Sequence, residues 1–327
     1  MATTASPSLT PAIEDVSEYF VVPVTTLHPE VELGFDTYAN IGEAVVLFTA
    51  TGQAFGVKQR ARLFQAGLAE VSIPHNQRTA YYRYLERNIL QLLHDEAGND
   101  TERVGRYYQV GTMVSRLVID EPQGARAEAL ANSYIDSSLE HLDGCRGLLS
   151  GFARVLEVAP DIYQHSLHVC MYGLALARRA GIDDARELRD FGVGLLLHDV
   201  GLLAIPSDLR LRPGPLDEEE IAWVKRHPQL GIERVAGAAW LGEIARDVIY
   251  SHHERLDASG YPRGVGAAQL SPFARIAAIA NAFDSRTTHR PYRPSRTTGE
   301  VLRDLIQGAR GSYDPRLLAN FVRLFST

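Results

Sequence analysis

Six of the chain's eleven histidines fall between residues 165 and 253, and one of them, His198, stands beside Asp199 at the end of the apolar run DFGVGLLLHDVG. Phe191, Val193, Leu195, Leu196 and Leu197 would anchor that run in a core, so two polar side chains protrude from a rigid base. A fold that accepts this needs helices converging on one polar point. Imidazole and carboxylate are both ligands for first-row divalent ions, and a carboxylate has two oxygens to share between two ions. His252-His253, followed by Glu254, is a second adjacent pair. Successive helical side chains point about 100° apart, so spacing alone turns only one of the two toward a given site. Taken singly, each histidine reads as a surface or hydrogen-bonded core residue. Their clustering with His165, His168 and His227 is a first clue to a shared site, and it is the combination that carries weight.

The rest of the chain frames this segment. Its 327 residues suit two domains better than one. Residues 1–16 are rich in Thr, Ser, Pro and Ala and read as a loose tail. Short β-like runs follow, YFVVPV (19–24), EAVVLFT (43–49) and VSIP (71–74), with a helical stretch near Lys58 to Gly67. Tyr82, Leu85, Ile89 and Leu92 then recur at three- and four-residue steps as one apolar stripe, with Asn76 a candidate cap. Residues 17–98 therefore form a small α+β regulatory domain and 99–158 a helical connector interrupted by EPQG (121–124). Residues 159–327 are successive helices punctuated by Gly, Pro and Asp. The fold class is an α+β N-terminal module followed by an all-α domain.

Composition narrows the function. Hydrophobic residues make up 45% and charged residues 22%, an ordinary globular mix. The net charge of -7 offers no basic field for duplex nucleic acid, although a small phosphate ligand needs only a few local cations. No apolar stretch approaches the roughly 18 residues of a membrane span, the longest candidates being short runs such as Phe191 to Leu197. The N-terminus lacks a basic segment followed by an apolar one, so the cytoplasm is the expected compartment. Cys145 and Cys170 fit neither a disulfide framework nor a CxxC site and read as inert thiols.

The strings HDVGLLAIP (198–206), HPQLG (227–231), HHERLDASGYP (252–262) and ANAFDSRTTHRPYR (280–293) resemble, in order and spacing, the HD-GYP family of metal-dependent phosphodiesterases. The likeness covers roughly residues 150–327 and implies an HD-type helical domain that hydrolyses cyclic di-GMP. By the same resemblance His165, His198, Asp199, His227, His252 and His253 match metal ligands, and His198 and Asp199 form the catalytic pair. Asp161, one turn before His165, stands where some members hold a third metal. Asp is shorter than the Glu used there, so two divalent ions, iron or manganese, are the expectation. Tyr261 in the GYP lip and Arg290 and Arg293 match groups that hold the ligand's phosphates, a task that suits the guanidinium fork.

Three positions depart from the family pattern. The Asp that relatives carry 28 residues after the second histidine of the pair is Asn281 here, which can offer a carbonyl oxygen but no charge. Asp284, one turn further on, offers a carboxylate in compensation, although in relatives this Asp usually lies outside the ligand set. The Lys that relatives carry four residues after the HD histidine is Leu202, and one such lost contact costs on the order of 3 kcal/mol, roughly a hundredfold in rate. Ala258 stands where the family has Gly, and a positive φ there would strain the lip by about 1 kcal/mol.

With two metals assembled, the implied mechanism is in-line attack on phosphorus by a metal-bridging hydroxide. A second reading is a catalytically impaired receptor for cyclic dinucleotides or a signalling scaffold, which Asn281 and Leu202 favour and the retained ligands oppose. A third, a di-iron oxygenase, is opposed by GYP and the two arginines. The helices between Glu102 and Val158 could pair with those of a second subunit as a homodimer, meet a signalling partner, or serve as an intramolecular linker.

Overall fold

The computed structural model describes residues 18–42, 44–95, 98–144, 149, 161–210, 212, 214–288, 296–307 and 311–325. The expected tail, Cys145, Arg290 and Arg293 lie outside the described residues. The chain divides into two compact units, Met1–Ala97 and Gly98–Thr327.

The first unit is built on strands β1 (Tyr19–Pro23), β2 (Val31–Glu32), β3 (Thr37–Ile41), β4 (Ala44–Thr49), β5 (Ala54–Phe55) and β6 (Glu70–Pro74). An antiparallel sheet has the order β1-β6-β3-β4, and β2 pairs with β5 as a separate ribbon. Helix α1 (Val57–Gln65) precedes β6, and α2 (Arg78–Leu93) buries the expected stripe, with Tyr82, Leu85, Ile89 and Leu92 all enclosed. Tyr81 and Tyr84 of α2 meet Phe35 edge-on at centroid separations of 5.6 and 5.5 Å, a favoured aromatic geometry. The sequence reading missed β3. Its residues TYANI carry only a weak alternation, and tertiary pairing with β4 and β6 supplies the rest. Asn76 does not cap α2: it sits inside a 3-10 turn, His75–Gln77, and Gln77 occupies the cap position.

The second unit holds α3 (Asp100–Asp120), α4 (Ala125–Gly144), α5 (Ile162–Arg179), α6 (Ala185–Leu197), a 3-10 segment (Val200–Ala204), α7 (Ser207–Arg210), α8 (Glu218–Val224), α9 (His227–Arg234), α10 (Glu243–Ser251), α11 (Pro272–Thr287), α12 (Thr298–Gln307) and α13 (Pro315–Arg323). Helix α5 is the central element: every residue from His165 to Ala177 is buried, with α3, α6 and α11 against it. Helix α10 lies on α6, and α3 and α4, expected as a connector, pack onto α5 and α6 as part of this unit. Tyr172, Phe283, Phe321 and Phe325 form an aromatic cluster that clamps α11 with centroid spacings of 5.0–6.2 Å. Among the described residues, no helix is long and apolar enough to cross a membrane.

Candidate metal centre

Four histidines of the centre, His165, His198, His227 and His252, are aimed by what their Nδ1 donates to. His198 ends α6 and gives its Nδ1–H to the Leu195 carbonyl at 2.7 Å. His227 opens α9 and donates to the Val224 carbonyl at 2.8 Å, and His252 donates to Ile249 O at 3.0 Å. A carbonyl oxygen can only accept, so in all three rings Nδ1 carries the proton. Their Nε2 lone pairs therefore face inward. The 3-10 segment after Asp199 reaches α9 so closely that a Cβ on Gly201 would overlap the His227 carbonyl oxygen. That contact is why HDVG needs its glycine.

The carboxylate of Asp199 divides the cluster in two. Its Oδ1 lies 3.2 Å from His227 Nε2 and 3.5 Å from His252 Nε2, and its Oδ2 lies 3.5 Å from both His165 Nε2 and His198 Nε2. Two groups of ligand atoms result, Asp199 with His227, His252 and His253, and Asp199 with His165 and His198, each lying within 4.8 Å. Both histidines of the 252–253 pair belong to the first group. The expected 100° divergence does not apply because α10 stops at Ser251 and the pair lies in the turn beyond it.

The charges and lone pairs fit a cation. Burial alone would raise the Asp199 carboxyl, but His198, His227 and His252 outweigh it and hold it far below the ordinary carboxylate range. Burial lowers His252 to about 4 and drives His253 well down, so both are neutral. His198 goes the other way: burial opposes its charged form, and Asp199 more than offsets that and raises it. His227 Nε2 and His252 Nε2 stand 3.1 Å apart, and His198 Nε2 and His165 Nε2 3.3 Å apart. With the protons on Nδ1, each pair is two lone pairs facing one another, an arrangement that a divalent ion turns from repulsive to bonding.

His165 is held differently. Its Nδ1–H donates to Asp284 Oδ2 at 2.6 Å, and His168 Nδ1–H donates to Asp284 Oδ1 at 3.0 Å. Burial would raise the fully enclosed Asp284, yet His168 and His165 keep it well below its usual range, as a carboxylate. His168 Nε2 accepts from the Tyr108 hydroxyl of α3 at 3.1 Å. Asp284 therefore acts through His165 rather than as a ligand. A carboxylate behind a ligating imidazole fixes its tautomer and raises its basicity.

Asn281 is buried on α11, lines the same cavity as both groups, and accepts from Ser285 Oγ at 3.0 Å. Asp161 is in neither ligand group. It caps α5, accepting from the backbone N–H groups of Tyr163 and Gln164, each at 3.0 Å.

The lip after His253 is held by Glu254, buried and accepting from Arg263 N at 2.7 Å and Val265 N at 3.1 Å. Its role was not legible in the sequence. Gly260 passes so close to the backbone of His253 and Glu254 that no side chain fits there. Ala258 has φ of +61°, the strained value a glycine would relieve. Tyr261 stacks on His253 at 4.4 Å and 20°. Burial pushes its phenol above the ordinary value, so it keeps its O–H. A cavity of about 760 Å³ opens over the cluster, lined by His165, Asp199, Leu202, His253, Tyr261 and Asn281 among others. That is within the range of nucleotide-sized ligands.

Comparison with known proteins adds the family context. The HD domain model matches residues 152–317, half of the chain. The chain is 35% identical over 199 residues to the cyclic di-GMP phosphodiesterase PA4108 of Pseudomonas aeruginosa, covering 61% of this chain and 47% of that protein. It is 32% identical over 203 residues to the cyclic di-GMP phosphodiesterase response regulator RpfG of Xanthomonas campestris, covering 61% and 53%. It is 28% identical over 209 residues to the 3'3'-cGAMP-specific phosphodiesterase 3 of Vibrio cholerae, covering 64% and 43%. The chain thus spans about half the length of these relatives. Among solved structures, Bd1817, an HDG"Y"P protein from Bdellovibrio bacteriovorus, shares the fold with a TM-score of 0.68 at 22% identity, covering 94% of this chain and all of that one.

Proposed function

The chain belongs to the HD-domain family, in its HD-GYP branch, and on that premise we propose that it is a metal-dependent phosphodiesterase acting on cyclic di-GMP. The observation that carries the reading is the Asp199 carboxylate, one oxygen toward each group of imidazoles, with facing Nε2 lone pairs on both sides. His165, His198, His227, His252, His253 and Asp199 are the proposed ligands of two ions, with Asn281 as a neutral donor at the edge. Iron and manganese suit this mixture of imidazole and carboxylate. Divalent ions so held bring the pKa of water toward neutrality and draw charge from phosphoryl oxygens.

The residues of the chain supply the rest. Asp199 and the Nδ1-anchored imidazoles hold their positions without rearrangement, which keeps the centre organised before the ligand arrives. Tyr261, locked against His253, presents an O–H donor to the ligand. Arg290 and Arg293 are proposed phosphate contacts. The same reading sets the protein in the cytoplasm, with the first unit as a regulatory module and a second copy or a signalling protein as its partner.

Two observations favour a second reading, a cyclic-dinucleotide receptor with little turnover: Leu202 and Asn281 line the cavity as neutral residues. Purified protein loaded with manganese or iron is incubated with cyclic di-GMP and, separately, 3'3'-cGAMP, beside Asp199→Ala, and the products are resolved by chromatography. Metal-dependent conversion of cyclic di-GMP by the unmutated chain alone supports the phosphodiesterase. Tight binding without product supports the receptor.

A further inference from the structure

Two cationic side chains line the cavity among the described residues, Arg210 and Arg212. They differ in what they already hold. Arg212 is paired with Glu220. Arg210, the last residue of α7, makes no side-chain hydrogen bond or ion pair among the described residues, and its Nε is buried without an acceptor. A buried donor left unmade costs more than a formed bond returns, so such a group is a standing demand for an acceptor. Its neighbours on the wall, Leu202, Ile205 and Leu209, are apolar and offer none. They also reduce screening and strengthen any charge that Arg210 meets.

We propose that Arg210 is a phosphate-binding residue of this cavity, and that it grips the phosphate of the dinucleotide that is not cut. This rests on the cyclic-dinucleotide reading above. Arg210 makes no hydrogen bond or ion pair with the histidine cluster, while both line one cavity; a ligand with two phosphates presents one to each. The guanidinium fork meets two oxygens of a phosphodiester at once, and Leu202 contributes no charge to the same wall. The grip acts on substrate and transition state alike, so it belongs in KM rather than kcat.

The test compares the full chain with Arg210→Ala and Arg210→Lys. Manganese-loaded protein is assayed for KM and kcat on cyclic di-GMP, and chelator-treated protein is titrated calorimetrically with cyclic di-GMP and with inorganic pyrophosphate. For Arg210→Ala, KM and both dissociation constants are expected to rise about tenfold with kcat within twofold, and Arg210→Lys to recover part of the loss. Affinities and KM unchanged within twofold, or a loss confined to kcat, overturn the assignment while leaving the phosphodiesterase reading intact. If the unmutated chain ignores cyclic di-GMP but binds pyrophosphate in an Arg210-dependent way, the substrate reading falls and the phosphate subsite stands. If it binds neither, both fall.

Discussion

The two sides of the Asp199 carboxylate are built on different principles. On the Oδ1 side, His227 and His252 are anchored by main-chain carbonyls and His253 by a stacked tyrosine, so the geometry is set by helix ends and a turn. On the Oδ2 side, His198 is anchored the same way, but His165 leans on the buried carboxylate of Asp284, which stands one turn after Asn281 on α11. The first side is rich in ligands and indifferent to remote charge. The second has fewer ligands and draws its basicity from a group one turn beyond Asn281. On that side a buried carboxylate lends its charge through an imidazole.

This contrast can be broken at its centre. Asp199→Ala takes an oxygen from both sides, and elemental analysis should fall to no bound metal while hydrolysis drops by at least about 10³-fold, beyond the reach of a single lost contact. One retained ion would mean that the sides are independent. Asp284→Asn should separate them, lowering affinity about 10- to 100-fold on the His165 side alone; calorimetric titration with manganese should then show one strong site and one weak. Equal weakening of both would dissolve the distinction. Asn281→Asp adds a charge to the cavity that both groups line and should strengthen manganese binding by at least about tenfold, since a charge close to a cation at an effective dielectric of about 20 outweighs that factor before desolvation.

Two smaller effects concern the lip on the Oδ1 side. Ala258→Gly should stabilise the folded chain by about 1 kcal/mol, read as a rise of about 2–4 °C in the melting temperature. Asp257 accepts from Ser259 N, Ser259 Oγ and Ser312 Oγ, and these bonds lower its carboxyl to about 2 from 3.8. Its contribution is therefore complete above about pH 4 and fades as pH falls through about 2. The melting-temperature gap between the natural chain and Asp257→Asn should follow that course, and a constant gap would count against the bonds as drawn.

What the sequence made legible was whatever repeats at short range. The stripe of α2, the apolar base under His198 and the succession of helices follow from local periodicity, and the histidine strings are contiguous. What stayed hidden depends on contacts between distant segments. Glu254 read only as the tail of a weak HHE string, yet it staples the lip through two backbone amides. His168 was one histidine in a cluster, and nothing in its surroundings announced Tyr108, sixty residues earlier. Strand β3 has too little alternation to declare itself, and the place of His253 depended on a helix ending at Ser251 that spacing alone could not fix.

The row from Tyr108 through His168 and Asp284 to His165 restricts what could ever be transplanted. Helix α3 precedes every string of the histidine constellation, so a graft guided by those strings alone would replace it with any amphipathic helix of similar length. Such a chimera would lose the hydroxyl that completes His168, leaving an acceptor stranded behind the carboxylate that steadies His165. The portable unit is longer than its signature and begins at Gly98, where the second unit does.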